Sequence, residues 1–217
     1  MFQDPLSLVP YAIAAGGGYL EDVAAARLVT AGLTLLQRSA PLVRSLSGKP
    51  AAMLVPDGLR TLIALAASEG RTIHLLPAEA TPEALASLMT QYDIGAIFTT
   101  HAFDSQLPEA VTAVFLDEAP WNAEVRSDAQ IRRVDLGTHH GLALVGDTAT
   151  PGRDEPFVVV EGTPLTHAEV LHAARDAVAR YGLTPAHCSQ PLRPFWTRDG
   201  LILSLIAPLL AGGRVTI

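Results

Sequence analysis

Short, largely apolar runs alternate along this chain with stretches that repeat an apolar residue every three or four positions. That alternation constrains the fold more than any other feature. Residues 51–55, 72–76, 94–99 and 111–116 form the short runs. None shows the strict polar–apolar alternation of a strand with one wet face, so each is expected to be a strand buried on both faces, a property of parallel sheets. Between them the period is helical. Asp57 caps a stretch through Ser68 that Gly70 ends, and Thr81-Pro82 places a capping hydroxyl and a first-turn proline ahead of Leu85, Leu88, Met89 and Tyr92. Over 20–46, Val23, Arg27, Leu28, Ala31, Leu35, Leu42 and Leu46 predict a long amphipathic helix broken or kinked at Pro41. The expected fold class is α/β, a mostly parallel sheet with helices on both faces and right-handed crossovers.

The rhythm stops after residue 116. Residues 117–154 are rich in charge (Glu118, Glu124, Arg126, Asp128, Arg132, Arg133, Asp135) and in turn formers, and are expected to be an irregular bridge with at most a strand at 142–145. A second α/β half follows over 155–217. It opens with the apolar Phe157-Val158-Val159-Val160, passes a tight turn at Glu161-Gly162-Thr163-Pro164, and starts a helix at Thr166-His167-Ala168-Glu169. Those last four residues fit a capping box, and Gly182 ends the helix they open. A strand over 188–192, a helix over 199–210 and a final strand over 214–217 are expected beyond it. The halves 1–116 and 155–217 are read as one compact domain overall.

Composition removes several function classes. Fifteen basic against twenty-two acidic residues leave a net charge of −7, which disfavours phosphate-backbone binding, so no nucleic-acid partner is expected. One cysteine, Cys188, makes neither a disulfide within the chain nor a metal cluster alone. No basic segment precedes the apolar residues 6–15, which argues against a signal peptide. The longest apolar run, 201–211, is interrupted by Ser204 and Pro208 and is too short to span a bilayer. No membrane association and a cytoplasmic location are the expectations.

The order of elements in 157–217, closing on Gly212-Gly213-Arg214-Val215-Thr216-Ile217, resembles the segment around the phosphate loop of the acyl-adenylate-forming ligases. That family includes acyl-CoA synthetases and peptide-synthetase adenylation domains. Residues 48–77 are similar to its strand–helix–strand, Thr81-Pro82-Glu83-Ala84-Leu85 to a helix start that follows, and 94–100 to the next strand. The resemblance implies the fold of the N-terminal part of these ligases and a phosphate loop between Val160 and Leu165. This chain supplies one glycine, one hydroxyl and no lysine there, and Glu161 adds negative charge. Pro191-Leu192 is followed by Arg193-Pro194-Phe195-Trp196, without the histidine that the family often shows. The implied function is therefore a degenerate, non-catalytic binding or partner subunit in acyl or carrier metabolism, with no catalytic residue and no cofactor. The alternative is a fragment or subunit of an acyl-CoA synthetase-type ligase that needs a C-terminal portion to form acyl-AMP.

Candidate residues follow from these readings. Glu161, Gly162, Thr163, Thr166 and His167 make up the vestigial phosphate-loop region, and Arg193, Phe195, Trp196 and Arg198 a mouth for an acyl-type ligand or a partner. His139-His140 with Asp135 and Asp147 have the residue types of a metal site but are read as solvated. Gly16-Gly17-Gly18 follows no strand and is not read as a dinucleotide fingerprint. A free strand edge at 214–217 is expected to need a protein partner or a second copy.

Overall fold

A computed structural model describes residues 5–54, 57–68, 71–117, 120–128, 130–137 and 155–217. After a 3-10 turn at Pro5–Ser7, helix α1 (Val9–Gly16) leads into a hairpin of β1 (Tyr19–Leu20) and β2 (Val23–Ala24), and helices α2 (Ala25–Arg38) and α3 (Ala40–Ser45) follow. Next come β3 (Ala51–Leu54), α4 (Gly58–Ala67), β4 (Ile73–Leu76), α5 (Pro82–Tyr92) and β5 (Ala96–Thr99). A 3-10 turn at His101–Gln106 precedes β6 (Thr112–Phe115), β7 (Asn122–Ser127) and β8 (Gln130–Asp135). The remainder holds β9 (Pro156–Val160), β10 (Thr163–Thr166), α6 (His167–Tyr181) and β11 (Cys188–Ser189). A π-helical stretch, Gly200–Ile206, then continues into α7 (Ala207–Leu210) and β12 (Arg214–Val215).

Eight strands form the main sheet in the order β10-β9-β4-β3-β5-β6-β7-β8. The inner five, β9 to β6, are parallel, and an antiparallel hairpin closes each end. Met53 stands opposite Leu75 on one side and Phe98 on the other. These three pack on the face covered by α2, α4 and α6, while Ala52, Leu54, Ile97 and Phe115 pack towards Leu85 of α5 on the opposite face. Helices on both faces explain why the strands are apolar at successive positions. A fully buried side chain such as Met53 or Phe98 stabilises the fold by about 1.5–3 kcal/mol through burial alone. Because β9 lies against β4, residues 155–217 complete the sheet begun by 51–115. Among the described residues, no helix is long and apolar enough to cross a membrane.

Four shorter strands make a second sheet in the order β11-β12-β1-β2, with β12 parallel to both neighbours. The strand at 214–215 is therefore interior to its sheet, and the free edge expected there is not found. The reason is that β1, from the other end of the sequence, pairs with it through Tyr19↔Arg214 and Leu20↔Val215.

Three local expectations are corrected. The helix expected over 20–46 is two helices preceded by a strand pair, and the break falls at Ser39. The Ser39 hydroxyl accepts from Leu42 N at 3.3 Å, and Pro41 sits in the first turn of α3, where its missing amide costs nothing. The bridge over 117–154 contains the hairpin β7–β8, whose inward residues Ala123, Val125 and Val134 are buried between outward charges. Those charges hid the period of two. The strand expected at 142–145 lies outside the described residues, as do Val55, Gly70 and Glu118. The strand expected over 188–192 is only Cys188–Ser189, since Pro191 has no amide to give a ladder.

Candidate functional site

The turn after β9 is tighter than four residues. Val160 pairs directly with Thr163, so only Glu161 and Gly162 lie outside the ladder, and Thr163 to Thr166 form a strand. Glu161 (φ 51°) and Gly162 (φ 76°) are both left-handed, the signature of a type I′ hairpin turn. The Glu161 carboxylate accepts from Arg198 N at 3.2 Å. At the start of α6 the Thr166 hydroxyl accepts from Glu169 N at 3.1 Å, and Thr166 N donates to Glu169 Oε2 at 2.8 Å. The Thr166 amide first, then the Thr166 hydroxyl, which also donates to Glu169 Oε2 at 2.9 Å, and last the Arg198 charge hold the Glu169 carboxyl below its ordinary range. Three backbone amides in this region are thus engaged by side chains of the chain itself, two of them by carboxylates.

His167 points the other way. It is fully buried, its ring stacks on Phe157 with centroids 4.0 Å apart, and its Nδ1 accepts the amide hydrogen of Val9 at 3.1 Å. An accepting Nδ1 carries no proton, so the ring is neutral in this geometry. Its role is to hold α1 against α6.

The residues read as a mouth separate into three places. Phe195 is buried in the core and Trp196 packs partly against it. Arg198 meets the turn at Glu161. Arg193, with its Nε 4.0 Å from Asp199 Oδ2, lies on the rim of an open cleft of about 680 Å³ between the end of α6, β11 and the π-helical stretch. The loop carrying these residues is pinned: Thr197 Oγ1 donates to Pro194 O at 2.8 Å and accepts from Gly200 N at 3.1 Å. Gly200 is required by space, because a Cβ there would lie 1.8 Å from Pro194 O. Neither aromatic ring lines the cleft.

A second cluster escaped the sequence reading. His101 and Asp117 follow the C-terminal ends of β5 and β6, where open α/β sheets present ligand-contacting residues. His101 Nδ1 lies 2.8 Å from Asp117 Oδ2, and its Nε2 2.8 Å from Glu124 Oε1. Asp117 also accepts from the His101 amide, and Arg133 Nε donates to Glu124 Oε2 at 2.8 Å. A neutral ring has one N–H and satisfies one of these carboxylates; only the imidazolium donates to both. The Arg133 hydrogen bond, followed by the charges of Arg133 and His101, keeps the Glu124 carboxyl below its usual range despite partial burial. The imidazole stacks on Phe115 with centroids 4.1 Å apart, and the group borders a hollow of about 290 Å³. The usable signal was positional and partial: His101 and Asp117 each stand within two places of the end of an apolar run, whereas Glu124 and Arg133 carry no such mark. Among the described residues no group of three metal-ligating side chains is set to hold an ion. His139, His140 and Asp147 lie outside them, and Asp135 accepts from Gly137 N at 2.8 Å in a turn.

No family model matches this sequence, and no curated protein matches it in sequence. Solved structures do match in fold. FmoA3, a nonribosomal peptide synthetase in its α-methyl-L-serine-AMP bound form, superposes with a TM-score of 0.70 at 17% identity, over 96% of this chain and 23% of that one. Apo MatB from Rhodopseudomonas palustris gives 0.71 at 15% identity, over 97% of this chain and 45% of that one. IdnL1 gives 0.72 at 15% identity, over 99% and 44%. The chain has the fold of the N-terminal part of the acyl-adenylate-forming ligases and spans less than half the length of these proteins.

Proposed function

We propose that this chain is the N-terminal portion, as a fragment or a subunit, of an acyl-CoA synthetase-type ligase and needs the remaining C-terminal portion to form acyl-AMP. The observation that carries this reading is the coverage. Nearly all of the chain, 97%, superposes on 45% of MatB, so little of it falls outside that fold.

A second reading, a non-catalytic partner in acyl or carrier metabolism, is favoured by one specific feature. The Glu161-Gly162 turn is too short to wrap a triphosphate, and Glu161 and Glu169 already occupy nearby amides. On either reading the isolated chain neither binds ATP at physiological concentration nor forms an adenylate.

ATP–pyrophosphate exchange with a panel of fatty and aryl acids separates the two. The isolated chain is expected to be silent. Exchange that appears only when a polypeptide bearing the remaining ligase portion is co-expressed supports the first reading. A stable complex that stays silent supports the second. Exchange by the isolated chain, abolished in Glu161→Ala, contradicts both.

A further inference from the structure

The connection from β5 to β6 carries no α-helix. Its 3-10 turn, His101–Gln106, has no buried residue, and within it Phe103 packs only partly against the core. Burial therefore does little to hold this strap on the sheet, and charged side chains fasten it instead. Asp104 pairs with Arg126 of β7, whose Cζ lies 5.6 Å from the Phe115 ring centroid. At the start of the strap the His101 ring stacks on Phe115, which is 2% exposed, and reaches Asp117 through Nδ1 and Glu124 of β7 through Nε2, each at 2.8 Å.

The histidine fastening is conditional on a proton. The His101 amide also donates to Asp117, at 3.0 Å, so a ring with one N–H keeps it on Nδ1 and the contact with Glu124 is the one at stake. Nε2 then turns a lone pair towards a carboxylate oxygen, which repels it. Asp104, Asp117 and Glu124 surround the ring from the strap, the end of β6 and β7. The cations near it are Arg126, Arg133 of β8 and Arg60 of α4. Arg126 is taken by Asp104, Arg133 by Glu124, and Arg60 Nε by Leu116 O at 2.9 Å. The Arg133 hydrogen bond, the largest cause, keeps the Glu124 carboxyl below its ordinary range, so Glu124 stays ionised around neutral pH. The His101 side chain is 45% exposed, and its proton exchanges directly with solvent.

We propose that His101 is a proton-operated latch: its imidazolium fastens the 3-10 strap to β7 through Glu124, and loss of one proton releases the strap and uncovers Phe115. This does not depend on the function proposed above. The sign follows from the bonds. The closed strap needs a proton on both ring nitrogens and the open strap does not, so rising pH favours opening. Buried His74 acts on the whole fold in the opposite direction, since burial lowers its pKa and favours folding as the pH rises. Loosening of the strap with rising pH is thus distinct from a change in global stability.

Amide exchange of the full chain, followed by NMR and corrected for the intrinsic effect of pH on exchange, tests the latch. Phe103 N and Leu107 N donate to Thr100 O and Asp104 O, both at 3.1 Å, and report on the strap. Their protection is expected to fall about tenfold between about pH 5.5 and about pH 8, while the amides of β3 and β5 lose none. His101→Gln has no titrating ring and should leave both reporters weakly protected at each pH. Glu124→Gln should keep both well protected at each pH, because its side-chain amide donates to an unprotonated Nε2 and its carbonyl still accepts from Arg133. This second variant keeps the test decisive where the first loosens the fold. A wild-type profile flat to within about twofold overturns the proposal. So does a fall that persists in either variant, or a failure of Glu124→Gln to protect the strap better than His101→Gln.

Discussion

The amide of Val9 donates to Nδ1 of His167 across 158 positions of sequence, with 3.1 Å between nitrogens. Through this bond the first helix is registered against α6, and the stack of His167 on Phe157 carries the contact into β9. His167→Ala removes the acceptor, leaves a buried amide without it and opens a cavity beneath Phe157. A loss of about 2–4 kcal/mol is expected in denaturant unfolding, together with faster hydrogen exchange at the Val9 amide.

His74 on β4 is buried beside Tyr92, and burial lowers its pKa from the usual 6.5. The folded state therefore holds the neutral ring, whereas the unfolded chain takes up a proton once the pH falls below 6.5. This contribution to stability is complete above that value and is lost progressively as the pH drops towards the lowered folded value. Stability measured from about pH 7 to about pH 5 should fall, and His74→Gln should flatten that part of the profile.

Glu169 titrates with the same sign for a different reason. Its folded pKa is lowered from 4.5 by the Thr166 amide and hydroxyl, so its contribution is present above 4.5 and disappears as the pH falls through the folded value. The difference in stability between the wild-type chain and Glu169→Gln should narrow on acidification below that range. Thr166→Ala, which removes the capping hydroxyl, is expected to cost about 1 kcal/mol at neutral pH.

Gly162→Ala isolates backbone strain from packing. No atom lies within 4 Å of the position a Cβ would take, but φ is +76°. The substitution should cost about 1 kcal/mol in thermal unfolding and leave the rest of the fold unchanged.

Much of the architecture was readable because parallel strands covered on both faces cannot hide their composition. Ala51–Leu54 and Ala96–Thr99 are buried at every position, and the Thr81-Pro82 and Thr166-Glu169 helix starts are local chemistry that structure reproduces residue by residue. The β7–β8 hairpin was missed because one of its faces is solvated, leaving Ala123, Val125 and Val134 as its inward apolar markers among charges, with Ile131 on the outer face. The cluster at His101 was illegible for another reason. Asp117 is 16 positions from His101, and β7 brings Glu124 to the same ring through tertiary pairing that no spacing encodes. The fate of Phe195 and Trp196 was likewise tertiary, since both pack on a core drawn from the whole chain.

The small sheet has a consequence for how the molecule comes into being. Its inner strands, β1 and β12, pair Leu20 with Val215. During synthesis β1 has emerged long before its partner exists, so this sheet is assembled last, after the main sheet has had time to form. Contacts of such wide sequence separation close slowly, because the entropy of bringing distant segments together is lost before pairing compensates for it. Refolding should therefore show an early phase reported by the main sheet and a later one reported by Tyr19, whose ring lies beneath the Arg214 guanidinium at 5.9 Å.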